Sequence, residues 1–238
     1  MNEEAEHLRQ ETACTARAFA SLGFVHAFGH VSARCGSTFL ITPTWPPLAT
    51  QHDADILEAD FDGKVLHGDS NMRPIEVFLH IGIYRARPDV AAICRTHAPA
   101  ASLWPATVAP ILHGFGGIAA NVATFDQVDL IHNPSLGAAA AAALGNSDAL
   151  ILRGNGVLAV GASVSEAAAR MWSLEERCAV ALRQGPAAKP FSAEELQARR
   201  RWYPAEQNRI WTWLQHLGGV TADGHAMARS LHEPDRSS

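Results

Sequence analysis

The 238-residue sequence lacks the features that define several classes of protein. No uninterrupted apolar run reaches the length of a membrane span, and the acidic start Met-Asn-Glu-Glu-Ala-Glu is unlike the basic, then apolar start of a signal peptide. The four cysteines have no Cys-x-x-Cys spacing, which favours reduced, buried thiols over disulfides or a zinc knot. The net charge of −5 gives no reason to expect a nucleic-acid partner. We therefore expect a cytoplasmic protein with neither membrane nor nucleic-acid partners.

The composition instead favours a globular α/β protein, with 47% hydrophobic and 18% charged residues. Helical periodicity and turn signals predict four main helices, near residues 3–22, 74–87, 134–144 and 164–183. Short strands are predicted near residues 31–33, 38–42, 59–65, 93–97, 149–153 and 157–160. This order predicts a mixed sheet covered by helices.

We expect one domain over residues 1–190, because no linker divides that part of the chain. A capping-box pattern at Ser192 and Glu195 then predicts a helical extension over residues 191–217. Its tryptophans, Trp202, Trp211 and Trp213, are typical of packing against a neighbour. A flexible tail is expected over residues 218–238.

The run Ile93-Cys94-Arg95-Thr96-His97 has an arginine where a metal-binding His-x-His pair would have its first histidine. Residues two apart on a strand point to the same face, so Arg95 and His97 are predicted to project together. His-x-His at this place would be half of a metal site. Arginine is permanently cationic and cannot be a ligand.

Glu76 and His80 are one helical turn apart, so they share a helix face and can meet a common site. A carboxylate in the first helical turn can also serve the helix dipole alone, and His80 can be an ordinary buried, hydrogen-bonded residue. His30, in Gly29-His30-Val31-Ser32-Ala33-Arg34, can likewise belong to a plain hairpin. The order of these motifs is more informative than any one of them.

In that order, the sequence resembles the class II aldolase/adducin family from about Leu8 to Leu182. The segments that carry the resemblance are residues 29–34, Ile41-Thr42-Pro43-Thr44, Asp60-Phe61-Asp62-Gly63, Glu76 with His80, Ile83-Tyr84-Arg85-Ala86-Arg87-Pro88-Asp89-Val90, Thr96-His97-Ala98-Pro99, Leu144-Gly145 and Leu152-Arg153-Gly154-Asn155-Gly156-Val157. The stretch Phe125–Gly137 and the tryptophan-bearing C-terminal helix look more like the decarboxylase-like branch.

The resemblance implies a three-layer α/β/α fold with a central, mainly antiparallel sheet. It also implies a homo-oligomer, a tetramer or a dimer, with active sites at subunit interfaces. The family's aldolases, epimerases and decarboxylases use a divalent metal to polarise a carbonyl-bearing substrate, while a glutamate moves protons.

The departures from the family pattern affect the metal and the substrate. The three positions that match the family's metal-binding histidines are Arg95, His97 and Asn155, so two imidazoles are replaced. Pro74 and Ile75 stand where serines precede the glutamate in sugar-phosphate aldolases, which argues against a phosphorylated substrate. His30 replaces a usual asparagine.

These residues predict a metal-independent lyase that decarboxylates, or cleaves a carbon–carbon bond in, a small unphosphorylated carboxylate, through an enolate-like intermediate. Glu76 is the predicted acid/base and Arg95 the cation that replaces the metal's charge, with His30 and His97 as polar partners. Predicted substrate contacts are Asn155, Thr44, Ser32, His80 and His113. Trp45 and Trp104 suggest an aromatic or apolar pocket wall.

Three alternatives stay open. A zinc, manganese or iron site could be rebuilt from His97, His30, His113 and Glu76. The same enolate chemistry could serve an isomerase, cyclase or dehydratase. The chain could also be a non-catalytic, adducin-like scaffold.

Overall fold

The computed structural model describes residues 3–103, 109–184 and 188–219. Trp104 and the part of the expected tail after residue 219 lie outside the described residues. None of the described helices is long and apolar enough to cross a membrane.

The centre of the fold is an eight-stranded sheet in the order β4-β3-β2-β1-β5-β8-β7-β6. Every neighbouring pair is antiparallel except β6 and β7, which are parallel. The sheet is therefore mainly antiparallel, as predicted. The strands are β1 His30–Cys35, β2 Thr38–Ile41, β3 Leu57–Asp60, β4 Val65–His67, β5 Ala92–Thr96, β6 Val122–Phe125, β7 Ala149–Leu152 and β8 Val157–Gly161.

Helices cover both faces of the sheet and complete the predicted three layers. The helices are α1 Glu3–Ser21, α2 Val77–Ala86, α3 Pro99–Leu103, α4 Pro134–Leu144, α5 Val164–Gln184, α6 Ala193–Arg199 and α7 Tyr203–Leu217. Residues of α1, α5 and α7 share one hydrophobic core, and residues of α2 and α4 share the other. Because side chains alternate along β5, Cys94 enters the first core and Ile93 the second.

Helices α2 and α4 approach closely through glycines. A Cβ atom added to Gly82 would lie 2.2 Å from the carbonyl oxygen of Gly137, and one added to Gly137 would lie 2.1 Å from the carbonyl oxygen of Phe78. Backbones can come this close only where both residues lack a side chain. The contact fixes the position of α2, whose N-terminal cap is Glu76.

The structure differs from the predicted elements in three places, the first of which is the short, unpredicted helix α3. The C-terminal helix is divided into α6 and α7 by the short 3-10 turn Arg200–Trp202. Pro204, which has no N–H group, lies in the first turn of α7, where a helix tolerates it. The four-residue, half-buried strand β6 was not predicted. It lies at the edge of the sheet and has no turn signal of its own.

Candidate active site

A cavity of about 570 Å³ opens beside β1 and β5. It combines a polar floor with an apolar wall. The lining residues are Ala27, Phe28, Gly29, His30, Pro43, Thr44, Leu48, Pro74, Ile75, Glu76, Arg95, His97, Leu130 and Asn155. Six of the predicted site residues are among them: Glu76, Arg95, His97, His30, Asn155 and Thr44.

Strand pairing and a tight turn bring the polar residues together. His30 is directly opposite Arg95 in the antiparallel pairing of β1 with β5. Asn155 lies in the turn between β7 and β8, next to Gly156. Gly156 has a φ of 78°, and an added Cβ would lie 2.2 Å from the carbonyl oxygen of Thr96. A glycine is therefore required for this turn to approach the end of β5.

Arg95, Glu76 and Asn155 form a buried, mutually hydrogen-bonded cluster. The Nη2 atom of Arg95 lies 2.9 Å from Oε2 of Glu76 and 2.6 Å from Oδ1 of Asn155. The side-chain amide of Asn155 donates to Oε1 of Glu76 at 2.7 Å, and the backbone N–H of Ile131 donates to the same oxygen at 3.3 Å. All of Glu76's partners are donors, so the arrangement suits an ionised carboxylate. Glu76 makes no side-chain capping bond to α2 and instead lines the cavity.

Arg95 and His97 project together, which confirms the prediction from their spacing. Nη1 of Arg95 lies 2.5 Å from Nε2 of His97. A guanidinium can only donate, so Nε2 accepts and the proton of neutral His97 is on Nδ1. Burial and, next, the charge of Arg95 lower the pKa of His97 to about 4. The ring is therefore neutral near pH 7.

Behind His30, a chain of polar side chains leads away from the cavity. His30 Nδ1 lies 3.0 Å from His80 Nε2, and His80 Nδ1 lies 2.7 Å from the hydroxyl of Ser32. The Ser32 oxygen lies 2.7 Å from the phenol oxygen of Tyr84. Burial is the main cause that lowers the pKa of His30 well below 6.5 and that of His80 to about 3, so both rings are neutral near pH 7.

The structure places Ser32, His80 and His113 outside the lining of this cavity, although the sequence predicted that they contact substrate. Ser32 and His80 are fully buried behind His30 and do not line the cavity. His113 precedes the 3-10 helix Gly114–Ala119, accepts from the N–H of Gly116 and packs against Phe115. This 3-10 helix packs against α5, so the chain does not bring His113 to the cavity.

The apolar wall that the sequence predicted from Trp45 and Trp104 is built from other described residues, and the sequence analysis assigned no site role to Tyr84. Phe28 and Leu130 are exposed at the cavity, and Leu48 is buried in its wall. Trp45 is exposed but does not line the cavity. Tyr84 follows His80 by four residues, as His80 follows Glu76, so the helical spacing that linked the first two residues extends to a third.

The donor set does not fit the divalent metal that the family resemblance implies. The cavity floor holds a permanently cationic guanidinium, and Nε2 of His97 is hydrogen-bonded to it. The side chains of Asn155 and Glu76 both bond this guanidinium, and Asn155 also donates a hydrogen bond to Glu76. Within the ranges that the structure describes, no group of three His, Cys, Asp or Glu side chains is arranged to hold a metal ion.

The sequence and the fold match a known family of proteins. The sequence profile of the Class II Aldolase and Adducin N-terminal domain matches residues 10–182, and the chain belongs to this family. A solved structure described as an aldolase II superfamily protein from Pseudomonas syringae superposes with a TM-score of 0.79 at 22% identity, covering 93% of this chain and 96% of that one. The fold assignment is therefore confirmed.

Curated relatives include both aldolases and decarboxylases. The chain is 32% identical over 157 residues to an L-fuculose phosphate aldolase of Methanocaldococcus jannaschii, covering 65% of this chain and 83% of the relative. It is 28% identical over 211 residues to a 3,4-dihydroxyphthalate decarboxylase of Terrabacter, covering 80% and 87%. It is also 26% identical over 167 residues to the meiotically up-regulated gene 14 protein of Schizosaccharomyces pombe, covering 65% of this chain but only 63% of that relative's length.

Proposed function

We propose that this protein is a metal-independent carbon–carbon lyase that decarboxylates or cleaves a small, unphosphorylated carboxylate. The observation that carries the proposal is the buried Arg95–Glu76 pair, 2.9 Å apart at the cavity floor. The pair combines a fixed cation, able to stabilise an oxyanion, with a carboxylate able to move a proton. Family members with decarboxylase and aldolase names support a lyase.

In the proposed reaction Glu76 moves protons. For carbon–carbon cleavage, Glu76 takes the proton of a substrate hydroxyl, the bond breaks to release an aldehyde, and the electron pair passes to the neighbouring carbonyl as an enolate. Glu76 then returns its proton to the carbon, so the turnover leaves its carboxylate as it began.

For decarboxylation, the ionised carboxyl group leaves as carbon dioxide, the electron pair passes to the neighbouring carbonyl, and a proton from solvent reaches the carbon through Glu76. In a hydroxylated aromatic acid, Glu76 first passes the hydroxyl proton to the ring carbon that bears the carboxyl group. This makes the ring ketone that accepts the electron pair when carbon dioxide leaves, and the resulting phenolate takes a proton from solvent.

Arg95 supplies the charge that the enolate requires. Burial lowers the pKa of Arg95 from its usual high value and the charge of Glu76 opposes that shift; a guanidinium is positively charged near pH 7 and can donate to an oxyanion. Arg95 lines the cavity, and its Nη1 atom bonds His97 while its Nη2 atom bonds Glu76 and Asn155. Asn155 holds both Arg95 and Glu76 and so sets their separation.

The cavity wall favours an apolar or aromatic carboxylate over a sugar phosphate. Pro74 and Ile75, which precede Glu76, line the cavity without a hydroxyl group, and Phe28, Leu48 and Leu130 add apolar surface. A phosphate would need several donors that these side chains cannot supply. The decarboxylases among the relatives are named for an aromatic dicarboxylate, which agrees with this choice.

The test pairs metal analysis with a substrate panel on untagged protein. Hydroxylated aromatic acids and β-keto or β-hydroxy acids are incubated with untreated and EDTA-treated enzyme, with Arg95→Met and Glu76→Gln as controls. We expect turnover of at least one acid, equal in both preparations and absent in both variants, with metal below about a tenth of an equivalent per chain. Turnover that EDTA abolishes and a metal ion restores would overturn metal independence. No turnover of either acid class, with or without added metal, would reject the lyase.

We further propose that the chain works as a homo-oligomer, a dimer or tetramer. Trp45 and Ile75 are large apolar side chains that this chain leaves exposed, and a subunit interface would cover them. Light scattering coupled to size-exclusion chromatography measures the mass directly. A monomer at micromolar concentration would reject this assembly.

A further inference from the structure

The hydrogen-bonded series Tyr84–Ser32–His80–His30 contains two hydroxyl protons that have few possible acceptors. Tyr84 is 2% exposed, and among the described residues the hydrogen-bond partner of its phenol is Ser32. The hydroxyl of Ser32, which is fully buried, has two partners, Tyr84 and Nδ1 of His80. A buried O–H without an acceptor is unfavourable, so the direction of these bonds is constrained.

One arrangement gives both hydroxyl protons an acceptor. Tyr84 donates to Ser32, and Ser32 donates to Nδ1 of His80. The proton of His80 must then be on Nε2, from which it donates to Nδ1 of His30. The proton of His30 is left on its own Nε2. In the reverse direction the phenol proton of Tyr84 has no acceptor, and if Ser32 accepts from both neighbours its own proton has none.

The outer nitrogen of His30 is at the cavity wall. Nε2 of His30 lies 3.8 Å from Oε2 of Glu76, and both residues line the cavity. A proton on this nitrogen makes His30 a hydrogen-bond donor toward the cavity. In the other tautomer the same nitrogen would present a lone pair, which suits a base and repels an oxyanion.

We infer that Ser32 is a positioning residue that holds His30 in the Nε2–H tautomer, so that His30 donates to the substrate oxyanion beside Arg95. Ser32 acts through His80 and does not touch the substrate. The donation to an oxyanion rests on the proposed function, whereas the tautomer is a property of the free protein. His97 provides a comparison of tautomers within the same site. Its Nε2 atom accepts a hydrogen bond from Arg95, so its own proton is on Nδ1.

The tautomers are measured by long-range proton–nitrogen correlation NMR on ¹⁵N-histidine-labelled protein near pH 7 without substrate. Protonated and unprotonated ring nitrogens differ widely in ¹⁵N shift, so each ring reports its own proton. We expect protonated Nε2 in His30 and His80, and protonated Nδ1 in His97. A proton on Nδ1 of His30 would overturn the inference, whatever the enzyme catalyses.

Two variants of the same buried cluster separate a positioning role from a structural one. Ser32→Ala removes the donor to His80, so we expect the ¹⁵N shifts of His80 and His30 to move toward values that average the two tautomers. Tyr84→Phe is the matched control: Ser32 still has His80 as its acceptor, so the wild-type tautomers should persist. Ser32→Ala with Tyr84→Phe repeats the test without an orphaned phenol. Unchanged His30 shifts in both Ser32 variants would remove Ser32 from this role.

The tautomer and turnover measurements together distinguish a failure of this inference from a failure of the proposed function. If the tautomers are as inferred but no carboxylate is turned over, the hydrogen-bond chain stands and the lyase does not. If turnover is found but His30 is protonated on Nδ1, the lyase stands and His30 is not the donor.

Discussion

Arg95 and Glu76 are joined by an ion pair at the floor of the cavity, with 2% and 6% of their side chains exposed. Neither charge has much contact with water, and the surrounding histidines are neutral near pH 7. The pair therefore depends on its own geometry and on Asn155 for stability. Its energetics and its chemistry can be tested separately.

Loss of one partner should destabilise the fold through the charge left behind. We expect Arg95→Met to lower the free energy of unfolding by about 3–5 kcal/mol, because Glu76 would stay buried without its cation. The double variant Arg95→Met with Glu76→Gln should recover part of that loss, with a coupling of about 0.5–3 kcal/mol. Urea unfolding of wild type, both single variants and the double variant completes the cycle. Strictly additive effects would contradict an energetically coupled pair.

Glu76→Gln should separate binding from catalysis. The amide keeps the shape of the side chain and its oxygen can still accept from Arg95, but it cannot take up a proton. We expect kcat to fall by about 10²–10⁴-fold with little change in KM. Steady-state kinetics on an acid identified in the substrate panel measures both constants. A kcat close to that of the wild type would exclude Glu76 as the acid/base.

His80 should make the fold sensitive to acid. Burial and, secondarily, the charge of Arg95 lower its pKa from 6.5 to about 3. Below pH 6.5 the unfolded chain therefore binds a proton that the folded chain does not, so stability falls as pH falls toward 3. The slope is at most about 1.4 kcal/mol per pH unit for one histidine.

In His80→Gln this contribution should disappear, although the variant should be less stable near neutral pH because it loses bonds to His30 and Ser32. Urea midpoints taken from about pH 7 to about pH 5 give the slope. His67→Gln, on exposed β4, controls for the change in composition. An unchanged slope in His80→Gln would mean that His80 is not the source of the acid sensitivity.

Phe28 should affect substrate binding without affecting stability. Its side chain is 72% exposed at the cavity, so Phe28→Ala should change the free energy of unfolding by no more than about 0.5 kcal/mol. We expect KM for an aromatic acid to rise several-fold while kcat changes little, because the lost contact is to a part of the substrate that does not react. Leu66→Ala, at an exposed site on β4, is the matched control. Equal kinetics for both variants would argue against an aromatic wall.

The sequence by itself determined the layers of the fold and most members of the site. Periodic apolar residues predicted helices such as the one over residues 3–22, and motif order indicated the family that the profile match confirms. The two-residue spacing of Arg95 and His97 placed them on one face, because side chains alternate along any strand. Such local rules depend on neighbours in the chain, which a sequence displays directly.

Only the tertiary structure decided which polar residues meet one another. The register of β1 on β5 sets His30 opposite Arg95, and the turn at Asn155 brings an amide from another strand pair between Arg95 and Glu76. Ser32 and His113 have residue types that suit a site, yet the structure places Ser32 behind His30 and His113 beside Phe115. Hydrogen bonds between strands and the packing of helices on a sheet fix these distances, and both depend on residues far apart in the sequence.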